Sequence, residues 1–313
     1  MTVMGTWNLE NLFRPGGDFG PHSEEQYEAK LHSLAATIND TGVDALGVEE
    51  VGDPDALSDL TKLLDGDWHL ELSQHFEPGH PIRVGLISRL PTEVVADVAA
   101  FPAELRPVQS DDEGGTLGEM GRGALAVRVR GDGVEPVVIV AHLKSKLLSF
   151  PSGFSPRDEG QRARFAAYAL YRRAAEAVTV RKLADDLLED KGRERPVMIV
   201  GDLNDEPLAA TTQILNGPPG SELGTPGADQ PDRGDGSRMW NLAPLIPADE
   251  RFSRVYRGRH ELIDHIFVSH NLLGRIREVH TVTAHPLPSM TDDPQARRNA
   301  PASDHAMVLA RMS

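Results

Sequence analysis

Asparagine, glutamate, aspartate and histidine recur along this chain in short clusters, each at the edge of an apolar run. The clusters read Thr6-Trp7-Asn8-Leu9-Glu10-Asn11, Gly47-Val48-Glu49-Glu50-Val51, Ala141-His142-Leu143-Lys144-Ser145-Lys146, Gly201-Asp202-Leu203-Asn204-Asp205, Leu262-Ile263-Asp264-His265 and Ser303-Asp304-His305. Such a mixture suits metal-assisted chemistry on a phosphate ester. A hard dication such as Mg2+ takes carboxylate and amide oxygens and keeps part of its water shell, and Asn8, Glu50 and Asp304 would supply those oxygens. Asp202 would take a proton from an attacking water that Asn204 orients. A protonated imidazole, His142 or His305, would stabilise charge on the phosphate or protonate the leaving oxygen. An aspartate beside a histidine fixes its tautomer and raises its pKa, which is the pairing expected of Asp264 with His305 or His142.

Each of these residues also has a plain structural reading. Asn8 would serve as a turn former at a strand end, Asp202-x-Asn204 as an Asx turn, and His142 as a satisfied core histidine. Glu49 and Glu50 are adjacent and alternate faces, so only one of them points inward. Lys144 and Lys146 beside His142 favour a phosphate site there, and Arg122 is either a further phosphate contact or a turn cap. Other apparent motifs carry no function. His260 and His265 are not spaced four apart as a helical zinc-protease motif requires. Gly118, Gly121 and Gly123 do not make a dinucleotide fingerprint, and Arg233-Gly234-Asp235 sits in a loop-like stretch. His22, His32, His69, His75 and His80 show no partner in sequence, so surface or loop positions are expected.

The elements that must position these clusters follow from periodicity. Thr2–Trp7, Val43–Val48, Val84–Ile87, Ala124–Val129, Pro136–Ala141, Val197–Val200, His265–Val268 and Ala306–Ala310 read as strands, several of them apolar on both faces. Arg128 and Arg130 alternate with apolar neighbours, so one side of that strand is expected to see water. Ser23 with Gln26 forms a capping box for a helix that runs to about Asp40 and stops at Gly42. Ser155-Pro156 with Asp158 opens a longer helix through Arg162, Phe165, Ala169 and Leu170, which continues or restarts through Leu183 and Leu187 before Gly192. The Gly-, Pro- and Asp-rich stretch from Asn216 to Asp235 reads as a long surface loop. With no internal repeat and no linker, this order predicts an α/β sandwich in a single domain, 1–313.

Composition sets the outer bounds. The 313 residues are 39% hydrophobic and contain no cysteine, which excludes disulfides, thiolate catalysis and Cys-ligated metals. A strand directly after Met1, and no apolar run of membrane-spanning length, predict a cytoplasmic protein that needs no membrane. No obligate protein partner is indicated. A net charge of -16 opposes avid, non-specific nucleic-acid binding. Arg122 to Lys182 runs the other way, with twelve Lys/Arg against five Asp/Glu, and would hold an anionic substrate or form a solvated helix face.

Taken together and in order, the clusters resemble the endonuclease/exonuclease/phosphatase superfamily. The matching signatures are Trp7-Asn8, Glu49-Glu50-Val51 where the family usually has Gln-Glu-Val, His142-Leu143-Lys144-Ser145, Gly201-Asp202-Leu203-Asn204, Ile263-Asp264-His265-Ile266 and Ser303-Asp304-His305. The resemblance implies a four-layer α/β sandwich of two central, mostly antiparallel or mixed sheets flanked by helices. It also implies a Mg2+ or Mn2+ requirement, with Glu50 and Asn8 as the principal metal site and Asp202 and Asn204 positioning the nucleophile. His142 and His305 would contact the scissile phosphate, and Asp264 would orient a histidine. Inositol polyphosphate phosphatases usually carry a Trp-Cys-Asp-Arg-like segment where this chain has Ile263-Asp264-His265-Ile266. Abasic-site endonucleases typically have Arg-Ile-Asp-Tyr where it has Leu262-Ile263-Asp264-His265. The expected activity is therefore a nuclease-like phosphodiesterase, with Arg157, Arg162 and Arg164 as backbone-phosphate contacts. The alternative is a phosphatase or phosphodiesterase for a small soluble phosphoester, which the acidic balance favours. An inactive binding module would have lost a core ligand, and none is missing.

Overall fold

A computed structural model describes all residues except 132, 149, 151–157, 227–229 and 292–296. In chain order the elements are β1 (Thr2–Leu12), α1 (Glu24–Thr41), β2 (Ala45–Val51), α2 (Pro54–Thr61), β3 (His69–Leu72), β4 (Arg83–Ser88) and β5 (Thr92–Ala100). There follow β6 (Val108–Gln109), β7 (Thr116–Leu117), β8 (Glu119–Val129), β9 (Val137–Ala141), α3 (Glu159–Leu188), β10 (Val197–Asp202) and α4 (Ala210–Asn216). The last are β11 (Met239–Asn241), β12 (Arg254–Tyr256), β13 (Arg259–Glu261), β14 (Asp264–Ser269), α5 (His270–Leu273), β15 (Ile276–Val282), β16 (Ser289–Met290) and β17 (Met307–Met312).

Two six-stranded sheets form the centre, in the orders β15-β17-β1-β2-β4-β3 and β11-β14-β10-β9-β8-β5. Both are mixed: β1 runs parallel to β2 and antiparallel to β17, while β10 runs parallel to β9 and antiparallel to β14. Their strands alternate between two apolar environments, as a period of two requires. Met4, Leu86, Val138, Val140, Met198, Val200, Ile266 and Val268 pack together between the sheets. Val3, Leu46 and Val48 face the other way, onto Leu31, Leu34 and Ile38 of α1 and Leu57 and Leu60 of α2. Ile139 and Ile199 face Val180, Leu183 and Leu188 of α3. Helix, sheet, sheet, helix: the architecture is the expected four-layer sandwich.

Local signals account for the helices. Ser23 caps α1 by accepting from the Gln26 N–H, and Gly42 closes it in the left-handed region at φ 63°. The long helix α3 is continuous, and its N-cap is Asp158, whose carboxylate accepts from the Gly160 and Gln161 N–H groups. The Ser155-Pro156 start lies outside the described residues. Between α4 and β11 the described residues form neither helix nor strand, and Arg238, which is buried, holds that loop through the Pro218 and Pro219 carbonyls and Asp232. Arg128 and Arg130 both pair with Glu93 of β5 at the water-facing side of β8.

Candidate active site

The alternation that sorts the core also selects the site residues. Asn8 shares its face of β1 with Met4, His142 follows Val138 and Val140, Asp202 follows Met198 and Val200, and Asp264 precedes Ile266 and Val268. All four therefore enter the layer between the sheets. The parallel pairings put the C-terminal ends of β1 and β2, and of β9 and β10, on the same side of each sheet. The antiparallel partners β14 and β17 begin there, with Asp202 opposite Asp264. Gly201 makes the closest approach possible: its φ is 143°, and a Cβ there would overlap the Ala141 carbonyl oxygen.

Glu49 and Glu50 divide as the strand geometry dictates. Glu49 continues the inward face of β2 and is wholly buried, accepting from the Thr6 hydroxyl at 2.6 Å. Burial, reinforced by Asp264, pushes its carboxyl well above the usual range. Glu50 breaks the alternation with φ 59°, and so its side chain reaches the pocket lined also by Asn11, Arg122, His142, Asp202, Asn204, Asp304 and His305. Glu10, Asn11 and Asn204 likewise have positive φ, at 52°, 52° and 54°. Four of the seven non-glycine residues with left-handed backbone among those described lie at this pocket, and such strained conformations are common at functional sites.

The polar groups interlock. Asn8 Nδ2 donates to Glu50 Oε1 and to Asp202 Oδ2, both at 3.1 Å, and the Asn11 N–H donates to Glu50 Oε2 at 2.9 Å. Asp202 Oδ1 accepts from the Asn204 N–H at 2.9 Å, and Asn204 Nδ2 donates to the Leu143 carbonyl at 2.9 Å. His305 Nδ1 lies 2.8 Å from Asp264 Oδ2, and its Nε2 is 3.9 Å from Asp202 Oδ2; His142 Nε2 is 3.6 Å from the same oxygen. Ser303 bonds the Asn8 carbonyl and accepts from the His305 N–H, while the Trp7 indole donates to the His305 carbonyl. Asp264 thus partners His305, and His142 is left without it.

Burial and charge then separate the titrating groups. Burial raises the Asp202 pKa to about 7, with Asp264 adding and His305 opposing. Burial disfavours the His305 cation, but Asp264, Asp304 and Asp202 more than reverse this, so His305 is held well above the ordinary histidine value. Burial, with Arg122 and His305, keeps His142 well below it. The site thus favours the cation of His305 and the neutral form of His142, beside a carboxyl whose pKa of about 7 lets it exchange a proton near neutrality.

Asp202, Asp264 and His305 offer ligand atoms all within 4.8 Å of one another, a group able to hold a metal ion. Asp264 Oδ2 and His305 Nδ1 are engaged with each other, however, and the carboxylates around His305 favour its cation, which is no metal ligand. Glu50 and Asp304 are the better fit: both line the pocket, and among the described residues neither makes an ion pair. Two carboxylates with no direct ion-pair partner among the described residues, beside the Asn8 amide, are the hard oxygen donors that Mg2+ or Mn2+ takes.

Among the predicted phosphate contacts, Arg122 lines the pocket, donates to the Leu143 carbonyl at 3.3 Å, and pairs with no carboxylate among the described residues. Lys144 turns away: its ammonium donates to the Leu147 carbonyl at 2.7 Å, and its neighbour Lys146 lines the pocket instead. Burial and Arg122 lower the Lys144 pKa to about 8. The helix arginines also turn away from the pocket. Arg162 pairs with Glu159 and Arg164 with Asp112, at 2.6 and 2.8 Å, and Arg157 lies outside the described residues. His80, taken above as a surface or loop residue, reaches the pocket, lies tilted against the Phe19 ring at 4.5 Å and meets Asn11 Oδ1 at 2.8 Å. Arg254, Tyr256 and Glu261, from the small sheet β13-β12-β16, form the opposite rim.

The sequence model described as the Endonuclease/Exonuclease/phosphatase family matches residues 5–305. No curated protein matches the chain. Among solved structures it is similar to a mannosyl-6-phosphatase of Bacteroides thetaiotaomicron, with 13% identity, all of both chains covered and a TM-score of 0.58. It is similar to an endonuclease/exonuclease/phosphatase family protein of Leptotrichia buccalis, at 14% identity over all of both chains, TM-score 0.54. It is also similar to truncated TDP2 of Caenorhabditis elegans, at 14% identity, covering 99% of this chain and 97% of that one, TM-score 0.54.

Proposed function

The chain belongs to the endonuclease/exonuclease/phosphatase family and is a metal-dependent phosphoester hydrolase, and from that premise we propose that its substrate is a small, soluble phosphoester. The observation that carries this reading is the contrast between the arginines of α3 and Arg122, which lines the pocket without a carboxylate partner among the described residues. Arg162 and Arg164, the helix residues that could have tracked a polynucleotide backbone, are tied to carboxylates, while Arg122 inside the pocket is not. The pocket volume of about 290 Å³ suits a phosphoryl group with a small organic residue. We further propose that residues 1–313 act as one catalytic domain, working in the cytoplasm.

In this reading Asn8, Glu50 and Asp304 hold Mg2+ or Mn2+, which when bound supplies Lewis acidity to the phosphoryl oxygens. Asp202 Oδ2 takes the proton of the attacking water, a task its pKa of about 7 suits at neutral pH. Asn204 fixes Asp202 through its backbone N–H and forms part of the pocket wall beside it. His305, kept cationic and oriented by Asp264, stabilises the growing charge or protonates the leaving oxygen. Neutral His142 contacts a phosphoryl oxygen beside Arg122, with no charge of its own to desolvate. Water attacks directly, and trapping of a phospho-enzyme would contradict the scheme.

The test is a parallel screen of phosphomonoesters, bis-p-nitrophenyl phosphate, plasmid DNA, single-stranded DNA and RNA, each with Mg2+, Mn2+ or EDTA. Small esters should turn over only with metal. Polynucleotide cleavage that falls steeply with salt, with small esters untouched, would return the nuclease reading.

A further inference from the structure

One turn of α3 reaches three of the segments that build the phosphate-binding side of the pocket. Glu176 is 1% exposed, yet it contacts no substrate-facing group. Its Oε1 accepts from the Gly121 N–H at 3.4 Å and from Arg172 Nε at 2.9 Å, and its Oε2 accepts from the Lys144 N–H. The first of these N–H groups directly precedes Arg122, and the second lies two residues beyond His142. Arg172 continues the chain of charge to Glu77 at 2.6 Å, on the loop that carries His80. Gly121 has to be glycine for this: a Cβ there would overlap the Arg172 guanidinium and crowd Glu77. Arg173, next in sequence and also buried, donates to the Lys144 carbonyl at 3.0 Å and to Asp205 Oδ2 at 3.2 Å. Asp205 in turn accepts from Thr211 and pairs with Lys146, just beyond Asp202 and Asn204.

We infer that Arg172, Arg173 and Glu176 are positioning residues, a clamp that holds the segments bearing Arg122, His142 and Asn204 in register to receive a phosphoryl group. A helix packed only for stability would present apolar residues to the sheet, as α3 does at Val180, Leu183 and Leu188. Here the same helix places three charged side chains against strand ends, and among the described residues every bond they make outside the clamp goes to a site-bearing segment or to Asp205 and Glu77 beside one. Charged groups buried in this way have fixed geometry because leaving one unpaired is costly. The inference rests on the phosphate reading of this wall given above.

The experiment measures inorganic phosphate binding to the full chain in the presence of Mg2+, with a Mg2+ titration and a thermal melt alongside, for Glu176→Gln, Arg173→Lys and Glu77→Gln. Phosphate affinity should weaken roughly tenfold in Glu176→Gln and Arg173→Lys, short of the ~10²-fold that a 1 Å misplacement can cost, and less in Glu77→Gln. Half-saturation by Mg2+ should stay at the wild-type value. Folded variants that bind phosphate as the wild type does would overturn the clamp, and so would equal weakening of phosphate and Mg2+, which marks a general structural role. Should Glu176→Gln fail to fold, Arg173→Lys and Glu77→Gln decide by the same criterion. Wild-type protein that binds no phosphate overturns the reading of the wall itself, and the clamp with it.

Discussion

The two walls of the pocket carry opposite charge. The first sheet delivers Asn8 and Glu50 from the ends of β1 and β2, and Asp304 ahead of β17, with no cation paired to either carboxylate among the described residues. The second sheet delivers Arg122 and His142 from β8 and β9, with no carboxylate paired to Arg122. One wall thus offers two carboxylates with no direct ion-pair partner, and the other an arginine with none. Where the walls meet the assignment reverses: His305, from the first sheet, lies against Asp264 and Asp202 of the second. A cation and a phosphate are thereby drawn to adjacent places, with the proton-transfer groups at the seam between them.

Cutting the seam should have the largest effect. His305→Ala removes the cation that both aspartates of the second sheet face, and kcat is expected to fall by ~10²–10⁴-fold, the usual contribution of a positioned acid or base. Circular dichroism and the melting temperature would establish that the variant is folded. A folded His305→Ala with wild-type kcat would remove the seam from the mechanism and leave two independent half-sites.

Glu50→Gln should disturb the anionic wall alone. The Mg2+ concentration for half-maximal activity is expected to rise by ~10–100-fold, as for altered metal surroundings, with KM little changed. Glu49→Gln is the matched control, because glutamine is the residue the family usually carries there. Its Mg2+ titration should match the wild type, and a shift in Glu49→Gln instead of Glu50→Gln would move the metal site by one residue. That ambiguity is inherent in sequence. Alternation predicts that one of the pair points inward, and Glu49 does, into the dry layer between the sheets. Glu50 gains the pocket through a left-handed backbone that no pattern of apolar residues announces.

The rest of the comparison was legible to different degrees for similar reasons. Asn8, His142, Asp202 and Asp264 could be found because strand periodicity places them and their neighbours bury around them. The eight predicted strands and the two capped helices follow from local signals of the same kind. Lys144 was expected to bind phosphate because it sits two residues beyond His142, but the strand has ended there and its ammonium caps loop carbonyls. His80 comes from a loop, and Arg254 and Tyr256 from a three-residue strand. Segments so short carry no periodicity, and only tertiary packing brings them to the rim.

Arg122→Ala should disturb the cationic wall alone. Losing one charge-assisted hydrogen bond to a phosphoryl oxygen is expected to raise KM about 10-fold or somewhat more, with the Mg2+ titration unchanged. An Arg122→Ala variant that shifts the Mg2+ titration as Glu50→Gln does would mean that the walls are not separable.

The smallest effect is expected outside the pocket, on the face of α3 that sequence alone offered for polynucleotide binding. Arg164 is held by Asp112, and Tyr168 donates its hydroxyl to the same carboxylate, while Arg162 is held by Glu159 one turn away. A guanidinium already engaged on an exposed carboxylate has little free charge to offer, and solvent-screened pairs of this kind add little to stability. Arg162→Ala and Arg164→Ala should therefore leave kcat/KM on a small phosphomonoester unchanged and melt close to the wild type. Salt should matter equally little, since the charge that recognises the substrate lies inside the pocket. If either variant instead lost activity on DNA or RNA, and its salt slope flattened with it, the cationic wall would extend along α3 and the substrate would be a polynucleotide.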